Sequence, residues 1–229
     1  MEHWRIPIHD GEVRIVMTDR AFGSVDERKR PASAARVVDR PWVQTRQVHG
    51  ADVLVVDGSF DVDVCSSPDP AEADALITSR DDLALVVRSA DCATLALIGD
   101  DGSVAAVHAG WRGLDDDVIG AAASTLRARG AQRVRAVVGP HIGVECYEFS
   151  PDDLDRLSVR FGAGVVGRSA SGRPALDVAA AVRASLDACE IELIDESGRC
   201  TACAADDLWS HRARGDGERQ ALVVWIERS

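Results

Sequence analysis

The sequence predicts a mixed α/β fold with a partly antiparallel sheet, on three observations. Short apolar segments bounded by Gly, Asp and Pro outnumber helical ones, and they carry the alternation or continuous apolar runs of strands. The helical patterns fall between those segments instead of after them. Residues 83–113, LALVVRSADCATLALIGDDGSVAAVHAGWRG, read as strand, tight turn at Asp91-Cys92, strand, hairpin at Asp100-Asp101-Gly102 and strand. They end in His108-Ala109-Gly110-Trp111-Arg112-Gly113, which leads into a helix.

In chain order, residues 11–18 alternate as a strand and 19–23 form a turn. The basic stretch 28–40 holds a short helix after Pro31. Residues 42–48 and 52–56 are strands joined at His49-Gly50-Ala51, which puts His49 at a sheet corner. Residues 58–73, with Pro68, Pro70 and several aspartates, are a loop, and 73–78 return to strand. Residues 115–129 give the clearest helix: Asp115, Asp116 and Asp117 in its first turn, an alanine-rich body, Arg127 and Arg129 near its end, and Gly130 as cap. Its register continues from residues 110–113. A strand at 134–138 ends in the loop Gly139-Pro140-His141-Ile142-Gly143, and Ser150-Pro151-Asp152-Asp153 starts a helix. A helix at 176–188, a strand at 191–195, a polar turn at Ser210-His211-Arg212 and a strand at 220–226 complete the pattern.

Composition narrows the function. A chain of 229 residues suits one domain and buries a sizeable core. Acidic residues outnumber basic ones 38 to 26, and a net charge of −12 repels a phosphate backbone, so nucleic acid is excluded as partner. No apolar run approaches the ~20 residues of a membrane span, and residues 1–5 lead into no apolar signal segment, which predicts a cytoplasmic protein without membrane partners. Six cysteines in a long chain without such a signal predict reduced thiols. Oligomeric state is not legible.

His49, Cys92 and His108 carry the chemistry. They match the ligand count of a catalytic zinc, three protein ligands with a fourth position for water or substrate. They equally suit a metal-free pair, Cys92 attacking and His49 or His108 taking its proton, and strand-end residues of these types also pack without any chemistry. Asp91 orients an imidazole in either scheme or caps the turn. Cys200 and Cys203 form a lone CxxC, a weak metal signal, and read as structural. His141 and His211 read as hydrogen-bonding or surface histidines.

Six strings occur in the order found in one family: Gln47-Val48-His49-Gly50; Ala73-Asp74-Ala75-Leu76-Ile77-Thr78; Ala90-Asp91-Cys92; residues 108–113; Gly139-Pro140-His141-Ile142-Gly143 with Cys146-Tyr147-Glu148; and Arg199-Cys200-Thr201 with Trp209-Ser210-His211-Arg212. On these the chain resembles the laccase-domain, YfiH-like family, formerly multicopper polyphenol oxidase and now described as purine nucleoside phosphorylase. The resemblance implies a single domain, residues 1–229, with a central mixed β-sandwich flanked by helices. It implies zinc on His49, Cys92 and His108, and copper as an adventitious metal suits the same ligands. It implies phosphorolysis of adenosine, inosine, guanosine and methylthioadenosine with phosphate as co-substrate, and adenosine deamination. Cys92 and Asp91 are then catalytic, and Gln47 and Arg112 contact substrate as neighbours of the ligands.

The chain departs from the family in a shorter region before Gln47 that contains no asparagine, so a substrate-contacting arginine is not assignable among Arg28, Arg30 and Arg36. Thr94 stands where a proline is usual. Two alternatives stand beside the nucleoside enzyme: the resemblance also implies a peptidoglycan-editing amidase acting through Cys92 on a muramyl-L-serine precursor, and the shortened region motivates a non-catalytic paralogue. An oxidase is disfavoured, because the six histidines include no HxH pair.

Overall fold

Described residues 1–25, 32–58 and 70–229 of a computed structural model place the predicted apolar segments in two facing sheets. The first has five strands in the spatial order β1 (Glu2–Ile8), β2 (Gly11–Met17), β13 (Gln220–Arg228), β6 (Ala84–Ser89) and β3 (Trp42–Val43), antiparallel except where β3 joins β6. The second has six: β12 (Glu192–Glu196), β9 (Val134–Val138), β7 (Ala93–Gly99), β8 (Val104–Ala109), β5 (Ala75–Thr78) and β4 (Val53–Val55). Its two outer pairs are parallel and its inner pairs antiparallel. The mixed α/β expectation holds.

Period-two alternation distributes the strands among three cores. Leu85 and Val87 of β6 face inward with Ile15, Met17, Leu222 and Val224, meeting Ala96, Ile98, Val104 and Ala106 of the other sheet. Ala84 and Val86 face outward with Val16, Val223 and Trp225, under Phe22, Trp42 and Ala34. The outer face of the six-stranded sheet, including Leu95, Leu97, Val107 and Ala136, lies under α2 (Val118–Ala128), α3 (Pro151–Phe161) and α4 (Val178–Ala188). Because β7 and β8 are covered on both faces, every residue in them is buried, and both read as continuous apolar runs.

Three differences from the sequence reading have local causes. The helix expected over 115–129 is two helices, α1 (Trp111–Asp115) and α2, broken at Asp117, whose φ of 70° is left-handed. Consecutive aspartates compete with helical hydrogen bonding and tolerate that conformation. Asp115 and Asp117 instead pair with Arg156 and Arg160 of α3 at 3.0 and 3.1 Å. The strand expected over 42–48 stops at Val43, after which Thr45 donates its hydroxyl to the Ala73 carbonyl at 2.8 Å. The polar turn at 210–212 opens a short helix, α5 (His211–Arg214), whose Ala213 amide donates to the Ser210 hydroxyl.

Strand β1, not anticipated, is an edge strand. It alternates half-buried and exposed residues, contains Pro7, and sends Trp4, Ile6 and Ile8 to the inter-sheet core. The helix expected after Pro31 is a 3-10 turn, Ala32–Arg36, while Pro31, Arg28, Arg30, Cys65 and Pro68 lie outside the described residues. A two-stranded hairpin, β10 (Val166–Arg168) with β11 (Pro174–Leu176), was also not anticipated. Among the described residues no helix is long and apolar enough to cross a membrane.

Leu85 is fully buried between the sheets. Leu85→Ala should lower the unfolding free energy by about 2–5 kcal/mol, read as a lower denaturant midpoint at unchanged slope.

Candidate metal centre and pocket

Three separate segments bring the donors together. His108 lies near the end of β8, Cys92 in the turn between β6 and β7, and His49 in the turn between β3 and β4. One ligand atom from each lies within 4.8 Å of the others. The two imidazoles meet edge to face with centroids 4.9 Å apart. His49 reaches this position with a left-handed φ of 63°, a conformation that costs free energy and persists only when its surroundings hold it.

The group that holds it is Asp74, which has no exposed surface. Its carboxylate accepts from the backbone amides of Val48, His49 and Gly50 at 3.0, 3.0 and 2.9 Å. It also meets Nδ1 of His108 at 2.8 Å, which leaves Nε2 as the ring nitrogen available to the donor cluster. One carboxylate thus fixes the backbone carrying one histidine and the ring of the other, the arrangement that orients metal-bound imidazoles in known centres. Burial alone would raise the Asp74 pKa, but His108 and the amides hold it below the usual carboxylate value.

Gly110 supplies the space. A Cβ there would lie 2.6 Å from Nδ1 of His49 and 3.1 Å from the sulfur of Cys92. The chemistry and spacing of the three donors, with an oriented second imidazole, fit a divalent metal. Without one, burial opposes ionisation of Cys92, yet His108 and His49 pull the thiol down to about 6. Burial likewise opposes charging His108, while the Cys92 thiolate and Asp74 push it up to about 9.

The donors open into a pocket of about 410 Å³ that also meets Gln47, Arg88, Asp91, Trp111, Arg112, Tyr147, His211, Arg212 and Arg219. All six residues predicted for the site therefore lie on one pocket. Gln47 is bonded at both ends of its carboxamide to the backbone of Arg88, each at 2.8 Å. Asp91, left-handed at φ 102°, accepts from the Thr201 hydroxyl and the Arg212 amide, both at 2.6 Å. Arg112 is exposed, with its guanidinium carbon 4.3 Å from the Trp111 ring centroid. Arg36 instead lies over Phe22. His211 lines the pocket, whereas His141 faces Glu196.

Sequence reasoning assigned no role to Asp74, Tyr147 or the pocket arginines Arg88, Arg212 and Arg219. Asp74 had a signal, a carboxylate set in the apolar string Ala73 to Thr78, since a buried acid must be paired. Tyr147 is the single tyrosine of the chain. Burial and then the Cys92 charge push it up to about 12, which keeps its hydroxyl a donor. The guanidinium of Arg212 lies 4.7 Å from its ring centroid.

A two-sheet α/β fold with a His-Cys-His donor set at its loop end defines the class: an α/β protein with a candidate metal centre in an open pocket. The chain belongs to the family described as multi-copper polyphenol oxidoreductase laccase, which it matches over residues 14–227. It is 38% identical over 189 residues to a Streptomyces griseus protein named purine nucleoside phosphorylase ORF3, covering 81% of this chain and 74% of that one. A Streptomyces coelicolor protein named purine nucleoside phosphorylase SCO2081 is 36% identical over 196 residues, covering 84% and 76%. The fold matches the crystal structure of the Bacillus licheniformis hypothetical protein YfiH with a TM-score of 0.82 at 20% identity, over 94% of this chain and 93% of that one.

Replacing Asp74 tests its position at the centre of this geometry. Asp74→Ala leaves three amides and a buried imidazole without their acceptor and should cost about 3–5 kcal/mol in stability, while Asp74→Asn should fold and weaken metal binding by roughly 10–100-fold. In metal-stripped protein, the thiolate and imidazolium coexist between the Cys92 value of about 6 and the His108 value of about 9. Their stabilisation is lost as pH falls through the first, depressed value and as it rises through the second, raised one. The alkylation rate of Cys92 should rise with an inflection near pH 6, against the ~8.5 of an ordinary thiol.

Proposed function

We propose that the chain is a zinc-dependent purine nucleoside phosphorylase that also deaminates adenosine. The observation that carries this reading is the convergence, on one pocket, of the His49, Cys92 and His108 donors with four arginines and two aromatic rings. The names of the relatives support the same substrate class. Zinc on the three donors would supply a Lewis acid that lowers the pKa of water or polarises a bound oxygen.

The chain's own residues divide the remaining work. Phosphorolysis needs phosphate held against C1′ of the ribose while the bond to N9 breaks and the purine leaves with its electron pair. Arg88, Arg112, Arg212 and Arg219 make the pocket locally cationic in an acidic protein, which suits phosphate. Arg112, exposed beside the donors, is its first contact. Trp111 and Tyr147 offer apolar ring surface to the purine. Gln47, bound to the Arg88 backbone, forms a fixed wall of the substrate site. In deamination a proton must reach the departing ammonia, and we assign that relay to Asp91. Its two donors occupy two of about four lone-pair positions, leaving acceptor capacity.

The depressed Cys92 pKa favours one further reading, in which Cys92 is a metal-free nucleophile that cleaves an amide, as a peptidoglycan-editing amidase would. Metal content and products distinguish the two. Untagged protein incubated with adenosine and phosphate should yield adenine with ribose 1-phosphate, together with inosine. Cys92→Ala should lose one zinc equivalent and both reactions. Arg112→Ala should raise KM for phosphate by roughly 10-fold or more with a smaller change in kcat, the loss expected of a charged hydrogen bond. A protein without zinc at these residues that turns over a muramyl-L-serine precursor would establish the amidase, and bound zinc with no turnover of either substrate would establish a non-catalytic paralogue.

A further inference from the structure

A second group of soft donors lies beside Tyr147. Glu145 and Cys146 belong to the 3-10 turn Val144–Cys146, while Cys200 and Cys203 lie in the loop that follows β12. One ligand atom from each of the four lies within 4.8 Å of the others. The sulfurs of Cys146 and Cys203 are 3.5 Å apart, and the sulfur of Cys203 is 3.6 Å from Oε1 of Glu145. Tetrahedral zinc with Zn–S bonds of ~2.3 Å separates its donors by about 3.8 Å, so these spacings are those of a ligand shell.

Two features beyond proximity support a ligand shell. The Gly143 amide donates to the sulfur of Cys200 at 3.1 Å, an outer contact that stabilises thiolate in a metal site. The backbone is also joined independently of the side chains. The Thr201 amide donates to the His141 carbonyl at 3.0 Å, and the His141 amide to the Arg199 carbonyl at 3.3 Å. The two loops are thereby held in register before any cation binds. A cavity of about 240 Å³ lined by Glu145 and Cys200 provides the entry path.

We propose that Glu145, Cys146, Cys200 and Cys203 form a second metal site, a four-ligand structural site for a zinc-like divalent cation, separate from His49, Cys92 and His108. Four protein ligands leave no position for substrate, so the site is structural. Its cation joins two loops that shape the pocket. Cys146 adjoins Tyr147 of the pocket wall, and Cys200 adjoins Thr201, whose hydroxyl holds Asp91. The CxxC looked isolated in the sequence because its completing donors are a Glu-Cys pair on a distant turn, not a second CxxC.

The test is metal stoichiometry of untagged protein purified under reducing conditions with zinc supplied, independent of any substrate. Wild type should hold two zincs per chain. Cys92→Ala and Cys203→Ser, at an exposed loop position, should each hold one, and the double variant none. Cobalt substituted into Cys92→Ala should show thiolate charge-transfer absorption that Cys203→Ser abolishes in that background and Cys203→His, a ligand of similar reach, restores in part. Chelation should lower the Tm of Cys92→Ala but leave that of the double variant unchanged. One zinc in wild type that disappears in Cys92→Ala would overturn the proposal. So would a Cys146–Cys203 disulfide found by mass spectrometry of the reduced-purified, zinc-supplied protein.

Discussion

A buried carboxylate is the constraint on which the pocket depends. Asp74 has no exposed surface and four donors converge on it: three consecutive amides of one turn and the ring of His108. Removing it from water is tolerable only with every bond in place, so its burial fixes what surrounds it. The left-handed backbone of His49 is held because its own amide and the two flanking ones all donate to this carboxylate. β8 and the turn before β4 are thereby joined at the point where their histidines face Cys92.

The same logic operates on the opposite wall with Asp91. Its carboxylate holds the Thr201 hydroxyl and the first residues of α5, and its carbonyl accepts the Ile142 amide. The two acids divide the labour, one organising the donor side and the other attaching the C-terminal loops. Between them the arginines remain near the pocket, two lying against aromatic rings. A rigid polar frame carrying cationic side chains suits a pocket that must take up an anion and an uncharged base together.

Much of this was legible in the sequence. The buried strands β7 and β8 were recognisable as apolar runs, and the turn at Asp91-Cys92 and the hairpin at residues 100–102 as breaks between them. The donor trio was legible because each member sits in a distinctive string. The helix break at Asp117 was not, since the aspartates read as a favourable first turn until α3 is seen to offer Arg156 and Arg160. Asp74 was quoted within a strand string and still lacked a role, because its partners are backbone amides that no residue type announces. Tyr147 and the Cys146 sulfur depend on loops meeting across the fold, information that local periodicity does not carry.

The order of strands in the first sheet has a consequence for how the molecule assembles. β13 lies between β2 and β6, although every other strand precedes it in the chain. The hairpin of β1 and β2 can therefore form early, but it keeps an open edge until residues some two hundred positions later insert beside it. Closing that loop is entropically slow and places the inter-sheet core late on the folding path. Until then Ile15 and Met17 have no cover on the β13 side, and the interval before insertion is when the nascent chain is most exposed to wrong strand pairing.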